Sequence, residues 1–503
     1  MTNKTIEELI YYAETHLELN KYDEMFIRNT LLHELNESNP YDGKIDKQEI
    51  ERLNTPTILI ERLKEDNPDI SDYEVEKIMS ILSPRPSEII EKFNKIKELD
   101  GPDKACKYFF NLMIFNNYIK ADYIKKNIKW EYQGENNTLE ITINLSKPEK
   151  NNKDIAAARK IVETGYPKCV LCYENEGYYG GGKIQPRSNI RVIPMKFKDQ
   201  DWFFQYSPYA YYNEHAIIIN KIHTPMAISN RTIENEMMFV DQLHNYFVGS
   251  NSDLPIVGGS LLSHTHFQGG EHLMPMMFAK DRYQLLKKSE PECEISYLEW
   301  YNSAILIKSK NKESLLRVTN EIIEKYWNYS DESIDLIAND NEGRHNTITT
   351  ITRKVDNTYH VFIIFRNNRC NEEYPDGIFH AHKEYHNIKS EGIGLIEAMG
   401  LFILPGRLQN ELRLIKEILT SNDISVTEFL KDHPELQKHI NFINELIIKY
   451  NRNNPSDYAD KIIKDEVGRV CENVLKNTGI FKNTIDGQLA LMKFFKELGL
   501  EVK

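Results

Sequence analysis

Ser260-Leu-Leu-Ser-His264-Thr-His266-Phe-Gln268-Gly-Gly270 sets two imidazoles and a carboxamide at alternate positions of an apolar stretch. Side chains of a β-strand alternate between faces at about 3.3 Å per residue, so a strand here puts His264, His266 and Gln268 on one face and Thr265 and Phe267 on the other. One imidazole on such a face can attack phosphorus, and the amide can donate to nonbridging oxygens. Gly269 and Gly270 let backbone approach a substrate with no Cβ in the way. His-x-His at this spacing equally suits metal ligation or a pair of satisfied core histidines, and only mutual geometry separates the three.

Working outward, the chain divides by the period of its apolar residues. Residues 1–130 read as helical, opening on a capping box Thr5-Ile-Glu-Glu8, with further helices over 23–35 and 108–114. Near 130 the period changes to two: Leu139, Ile141, Ile143 and Leu145 alternate with polar residues after the turn Gly134-Glu-Asn-Asn137. A helix is expected over 154–163, strands over 190–194, 202–206 and 215–220, a helix over 232–247, and then the strand of His264. The next segment repeats the flavour, with strands over 303–307, 347–352 and 359–365 around a helix at 313–327. Beyond Pro405 the chain reads as charged, amphipathic and helical to its end. His380-Ala-His382 echoes His264-Thr-His266, although Glu384 stands where Gln268 would fall, and this suggests a duplication. The expectation is an α+β fold of two fused halves with antiparallel sheets. Its regions are a helical one at 1–130, a catalytic half at 131–295, a second half at 296–405 and a helical one at 406–503.

Composition bounds the function. A net charge of −13 argues against a general binder of nucleic acid or anionic membrane, whose phosphates demand clustered basic surface. No apolar run approaches membrane-spanning length, and the acidic start carries no targeting pattern, so a cytoplasmic protein is expected. The six cysteines are scattered apart from Cys169 and Cys172, which fits a reducing compartment. Ser38 to Glu49 mimics a calcium loop, but Pro40 stands where an oxygen ligand is required, so it reads as a turn.

Cys169-Val-Leu-Cys172 is the second candidate for chemistry. Thiolates at this spacing suit tetrahedral zinc, and His223 and His264 are available to complete four ligands; two plain buried cysteines are the alternative. Gly180-Gly-Gly182 lacks the lysine ending of a nucleotide-triphosphate loop and reads first as a flexible turn. Arg187 and Arg191 flank a strand, where either can neutralise phosphate or simply meet solvent.

These residues resemble the galactose-1-phosphate uridylyltransferase family, in its second, mainly bacterial class. The likeness runs through Glu163-Thr-Gly-Tyr-Pro-Lys-Cys-Val-Leu-Cys172, Phe204-Gln-Tyr-Ser-Pro-Tyr209, Tyr212-Asn-Glu-His215, His223-Thr-Pro, Leu254-Pro-Ile-Val-Gly-Gly-Ser260 and the His264 segment. Later come Arg344-His-Asn-Thr347 and Gly394-Leu-Ile-Glu-Ala-Met-Gly400. The resemblance implies a histidine-triad type of fold in two fused halves, with His266 as nucleophile and Gln268 as its amide partner. It implies a structural zinc on Cys169, Cys172, His223 and His264. Ser260, Gly269, Gly270 and Arg187 are the expected substrate contacts, and His380 and His382 resemble part of a second metal site. Thr265 and Phe267 depart from the family's proline and glycine. The implied reaction moves UMP from UDP-glucose to galactose 1-phosphate through a uridylyl-histidine, with nucleotide sugar and hexose 1-phosphate as partners and a homodimer as the assembly. A histidine-triad hydrolase or phosphorylase, or a metal-dependent hydrolase using His264 and His266 as ligands, is the alternative.

Overall fold

The computed structural model describes residues 2–146, 165–180, 187–259, 261–341 and 343–503. Among these, the expected strand is β2 (Thr138–Asn144), and the turn before it joins it to β1 (Ile128–Gln133) in an antiparallel hairpin. The first half follows with β3 (Ile193–Phe197), β4 (Gln200–Tyr206), β5 (Ala216–Asn220), β6 (Phe247–Ser250) and β7 (His266–Gly270). β8 (Asp281–Leu286), inside the expected catalytic half, and β9 (Glu294–Leu298), across its expected boundary at 295, pair in series with the strands of the expected second half: β10 (Ala304–Ser309), a two-residue ribbon of β11 (Asn339–Asp340) and β12 (Gly343–Arg344), β13 (Asn346–Val355) and β14 (Thr358–Asn367). β15 (Leu401–Pro405) lies parallel to β2, and β16 (Glu501–Val502) pairs with β8.

The two halves share one sheet, in the order β16-β8-β9-β10-β14-β13-β6-β7-β5-β4-β3. They meet where β6 and β13 pair antiparallel, Ser250 opposite Thr350. Each half lays one helix on the sheet, Asn230–Gln242 against β6 and β13, and Lys312–Trp327 against β10 and β13. Alternation then sorts the side chains. Phe267, Val248, Ile348 and Phe365 point to the face shared with the N-terminal helices, while Phe247, Ile351, Phe362 and Ile364 point to the opposite face, under the small β1-β2-β15 sheet and the C-terminal helices. His266 and Gln268 lie on the second face, because Gln268 pairs with Gly249, two residues from Phe247.

Several boundaries differ from the sequence expectation, each for a tertiary reason. The first helix, Thr2–His16, begins before Thr5, so Thr5 lies inside it and donates to Asp66 at 2.9 Å, while Glu8 is claimed by Arg62 at 3.2 Å instead of a capping box. The helix expected over 232–247 stops at Gln242, and Phe247-Val-Gly-Ser250 enters the sheet as β6, buried at all four positions. A four-residue apolar run carries no period of its own. The strand expected over 190–194 is displaced to Ile193–Phe197 and runs through Pro194, tolerated because β3 is an edge strand. The C-terminal region is helical except for β16, which closes the far edge of the sheet. The helix expected over 154–163 lies outside the described residues.

One buried carboxyl makes the sheet's junction sensitive to pH. Glu236 on the Asn230–Gln242 helix is fully buried and accepts hydroxyl hydrogen bonds from Thr350 at 2.5 Å and Thr352 at 2.7 Å. Burial pushes its pKa up to about 8 against the hydroxyls that favour the anion. An unfolded glutamate releases its proton near about 4.3, so the folded chain holds a proton that the unfolded chain has lost. The stability tied to this group is present below the unfolded value and is lost as pH rises through the folded one. Glu236→Gln is expected to flatten the decline of Tm between about pH 5 and about pH 9. A Tm profile with the wild-type slope would refute it.

Candidate functional site

At the end of β5 and the approach to β7, four donors from three segments converge. Cys169 Sγ lies 3.6 Å from Cys172 Sγ and 3.3 Å from His264 Nδ1, and Cys172 Sγ lies 3.2 Å from His223 Nδ1 and 3.7 Å from His264 Nδ1. All four ligand atoms fall within 4.8 Å of one another. A tetrahedral zinc with bonds of about 2.3 Å to sulfur and about 2.0 Å to nitrogen spaces its ligands by about 3.3 to 3.8 Å, and the four distances above lie close to that range. His264 Nε2 donates to the Asn220 carbonyl at 2.7 Å, which leaves Nδ1 with its lone pair toward the thiols. The hydrogen bond between the two thiols lowers Cys169 to about 7 and raises Cys172 to about 11, so one of the pair is the readier thiolate. Leu171 and Ile219 are buried around the cluster, with Val170, Ile217 and Leu261 packed against them. Among the described residues this is the one group of histidine, cysteine or carboxylate ligands with such convergence.

His264 therefore departs from the expected row of three. It precedes β7 and turns to the cysteines, whereas His266 opens the strand and shares its face with Gln268 alone. His266 is 5% exposed, and its Nδ1–H donates to the His264 carbonyl at 2.7 Å, so Nε2 keeps its lone pair. Burial lowers its pKa to about 4, and the imidazole is neutral at physiological pH. A neutral, desolvated imidazole with a fixed tautomer can serve as a nucleophile. This division of labour excludes the reading in which His264 and His266 ligate one metal together, since His264 faces sulfur and His266 offers its Nδ1–H to the backbone.

Gln268 accepts at Oε1 from His215 Nε2, 3.1 Å away. Both glycines after it are used by the fold. A Cβ on Gly269 would stand 2.4 Å from the Phe247 carbonyl of β6, and Gly270, at φ +154°, sits against the Tyr212 ring. Tyr212 also donates to the Gly269 carbonyl at 2.9 Å.

The other expected contacts fare differently. Ser260 and most of Gly180-Gly-Gly182 lie outside the described residues. Arg187 hydrogen-bonds to Tyr118 and lies within electrostatic reach of Tyr209 and Glu76. His380 and His382 lie in the loop after β14. The His380 Nε2 accepts from the Ile393 amide at 3.3 Å, and His382 stacks on Tyr374 at 4.2 Å. They join no ligand cluster among the described residues. Two residues inside the stretches quoted above, neither with a role read from the sequence, stand on the His266 face. His215 is one. Gln205 is the other: it pairs across β4 and β5 with Ile217, is fully buried, and has both amide atoms without a partner. Only strand register brings either of them to the site.

The family model "Galactose-1-phosphate uridyl transferase, N-terminal domain" matches residues 18–225, and its C-terminal counterpart matches residues 236–428. Galactose-1-phosphate uridylyltransferase of Caldanaerobacter subterraneus is 41% identical over 99% of this chain and 98% of that protein. Those of Clostridium acetobutylicum and Bacillus subtilis are 44% identical over 84% of each chain and 38% identical over 98% of this chain and 97% of that one. Among solved structures, that of yeast Ap4A phosphorylase Apa2 aligns at a TM-score of 0.30 and 12% identity, covering 70% of this chain and 91% of that one, too distant to carry an inference. With both family models matched and relatives near 40% identity along almost the entire length, the chain belongs to the galactose-1-phosphate uridylyltransferase family.

Proposed function

We propose that this chain transfers UMP from UDP-glucose to galactose 1-phosphate by way of a uridylyl group on His266. The observation that carries the reading is His266 itself: neutral, buried, its Nδ1–H spent on the His264 carbonyl, its Nε2 left with the lone pair, and its strand face shared with Gln268. In the first step Nε2 forms a bond to the α-phosphorus of UDP-glucose while the bond to the bridging oxygen breaks, and glucose 1-phosphate leaves as an anion. In the second, a phosphate oxygen of galactose 1-phosphate attacks the same phosphorus, the N–P bond breaks, and neutral His266 returns with UDP-galactose formed. A neutral amide at position 268 suits this exchange, because a sugar phosphate leaves without needing a proton. The Gln268 N–H groups would take up charge developing on the nonbridging oxygens.

Cys169, Cys172, His223 and His264 would hold a zinc ion, which supplies rigidity to the start of β7 and no step of the exchange. Six free cysteines fit the reducing cytoplasm.

Intact-protein mass spectrometry after mixing the enzyme with UDP-glucose and no acceptor tests the proposal. An acid-labile gain of one uridylyl group, with glucose 1-phosphate released, is the expected result. Consumption of UDP-glucose to UMP without an adduct would establish a hydrolase instead.

A further inference from the structure

We propose that His215 is a positioning residue that fixes which way the Gln268 carboxamide faces; this rests on the nucleotidyl-transfer reading of His266 and Gln268. A glutamine amide presents an acceptor on one side and two donors on the other, and a half-turn about its last bond exchanges them. Only one of the two orientations stabilises a phosphoryl transition state. With Oε1 toward the nonbridging oxygens the side chain would repel the charge it must absorb.

The structure supplies the lock. His215 stands one step beyond the Ala216–Gly269 pair of β5 and β7, on the side of Gln268 away from His266, and its Nε2 meets Gln268 Oε1 at 3.1 Å. The ring is 2% exposed and is held by Tyr212 at 4.5 Å and Tyr211 at 5.5 Å between ring centres. Its Nδ1 is buried without a hydrogen-bond partner. An imidazole with one partner places its single N–H there, since a proton on Nδ1 would be orphaned and Nε2 would then have to accept from Gln268. Nε2–H thus claims Oε1, and the amide N–H groups turn toward the His266 side. Because burial keeps His215 neutral, the lock does not open within the physiological pH range.

The prediction is one of dependence. His215→Phe keeps the tyrosine packing and deletes the N–H, and single-turnover adduct formation from UDP-glucose is expected to slow about 10- to 100-fold. His215→Gln restores a donor near the Nε2 position and should recover most of that loss. In a Gln268→Ala background His215→Phe should cost less than about 2-fold, because there is no amide left to orient. Metal content and Tm are followed in every variant. An equal penalty with and without Gln268, or no slowing in either His215 variant, would overturn the proposal while leaving wild-type adduct formation, and the function, intact. A wild-type enzyme that forms no adduct overturns both.

Discussion

His266→Asn is expected to lose both the uridylyl adduct and steady-state transfer by at least about 10⁴-fold, while its Tm and metal content stay near wild type. Asparagine is the informative substitute. Its amide can still donate to the His264 carbonyl that His266 Nδ1 engages at 2.7 Å, so the start of β7 keeps its anchor. What disappears is the Nε2 lone pair, and with it the only route that divides one displacement between two anions into two easier ones. Gln268→Ala should be milder, about 10²- to 10³-fold, because it removes donors to the transition state and leaves the bond-forming atom in place. The ranking is itself diagnostic. If His266→Asn retains turnover comparable to Gln268→Ala, a water or acceptor oxygen attacks phosphorus directly and no covalent step exists.

The sequence alone reveals what depends on local spacing. Alternation through Leu139 to Leu145 located β2, and the Cys169–Cys172 pair with His223 and His264 was recognisable as a ligand set from donor chemistry before any distance was known. What escaped was set by neighbours. His264 leaves the row of His266 and Gln268 because the thiols pull its Nδ1 aside ahead of the strand. His215 matters only because β5 pairs with β7 in one register; a shift of one residue would turn it to the other face. The glycines after Gln268 reflect the close approach of β6 and the Tyr212 ring as much as any ligand. The echo at His380 and His382 matched residue types without matching structure, since both lie in a loop after β14, each with its Nε2 bound to backbone.

Removing the metal should be the other large effect, and the geometry says why it reaches the nucleophile. His264 is shared: its Nδ1 faces Cys169 and Cys172, its Nε2 holds Asn220, and its carbonyl sets the tautomer of His266. A cation held among the four donors would therefore fix the backbone that decides which His266 nitrogen is free. Cys172→Ser is the stringent variant, because Cys172 contacts Cys169, His223 and His264 alike. Its loss leaves three donors and a weaker ligand in a buried pocket, where metal binding is tied to folding. The purified wild-type chain is expected to carry one zinc per molecule, and Cys172→Ser to carry none. The expected loss of stability is several kcal/mol, read as a lower Tm, with adduct formation slowed about 10²-fold or more. Stripping wild type with a chelator should reproduce the slowing, and added zinc should reverse it in wild type but not in Cys172→Ser. Full adduct formation by metal-free protein would separate the two sites and show that protein contacts, those of His264 with Asn220 and of Thr265 with Thr224 among them, suffice to hold the His264 carbonyl.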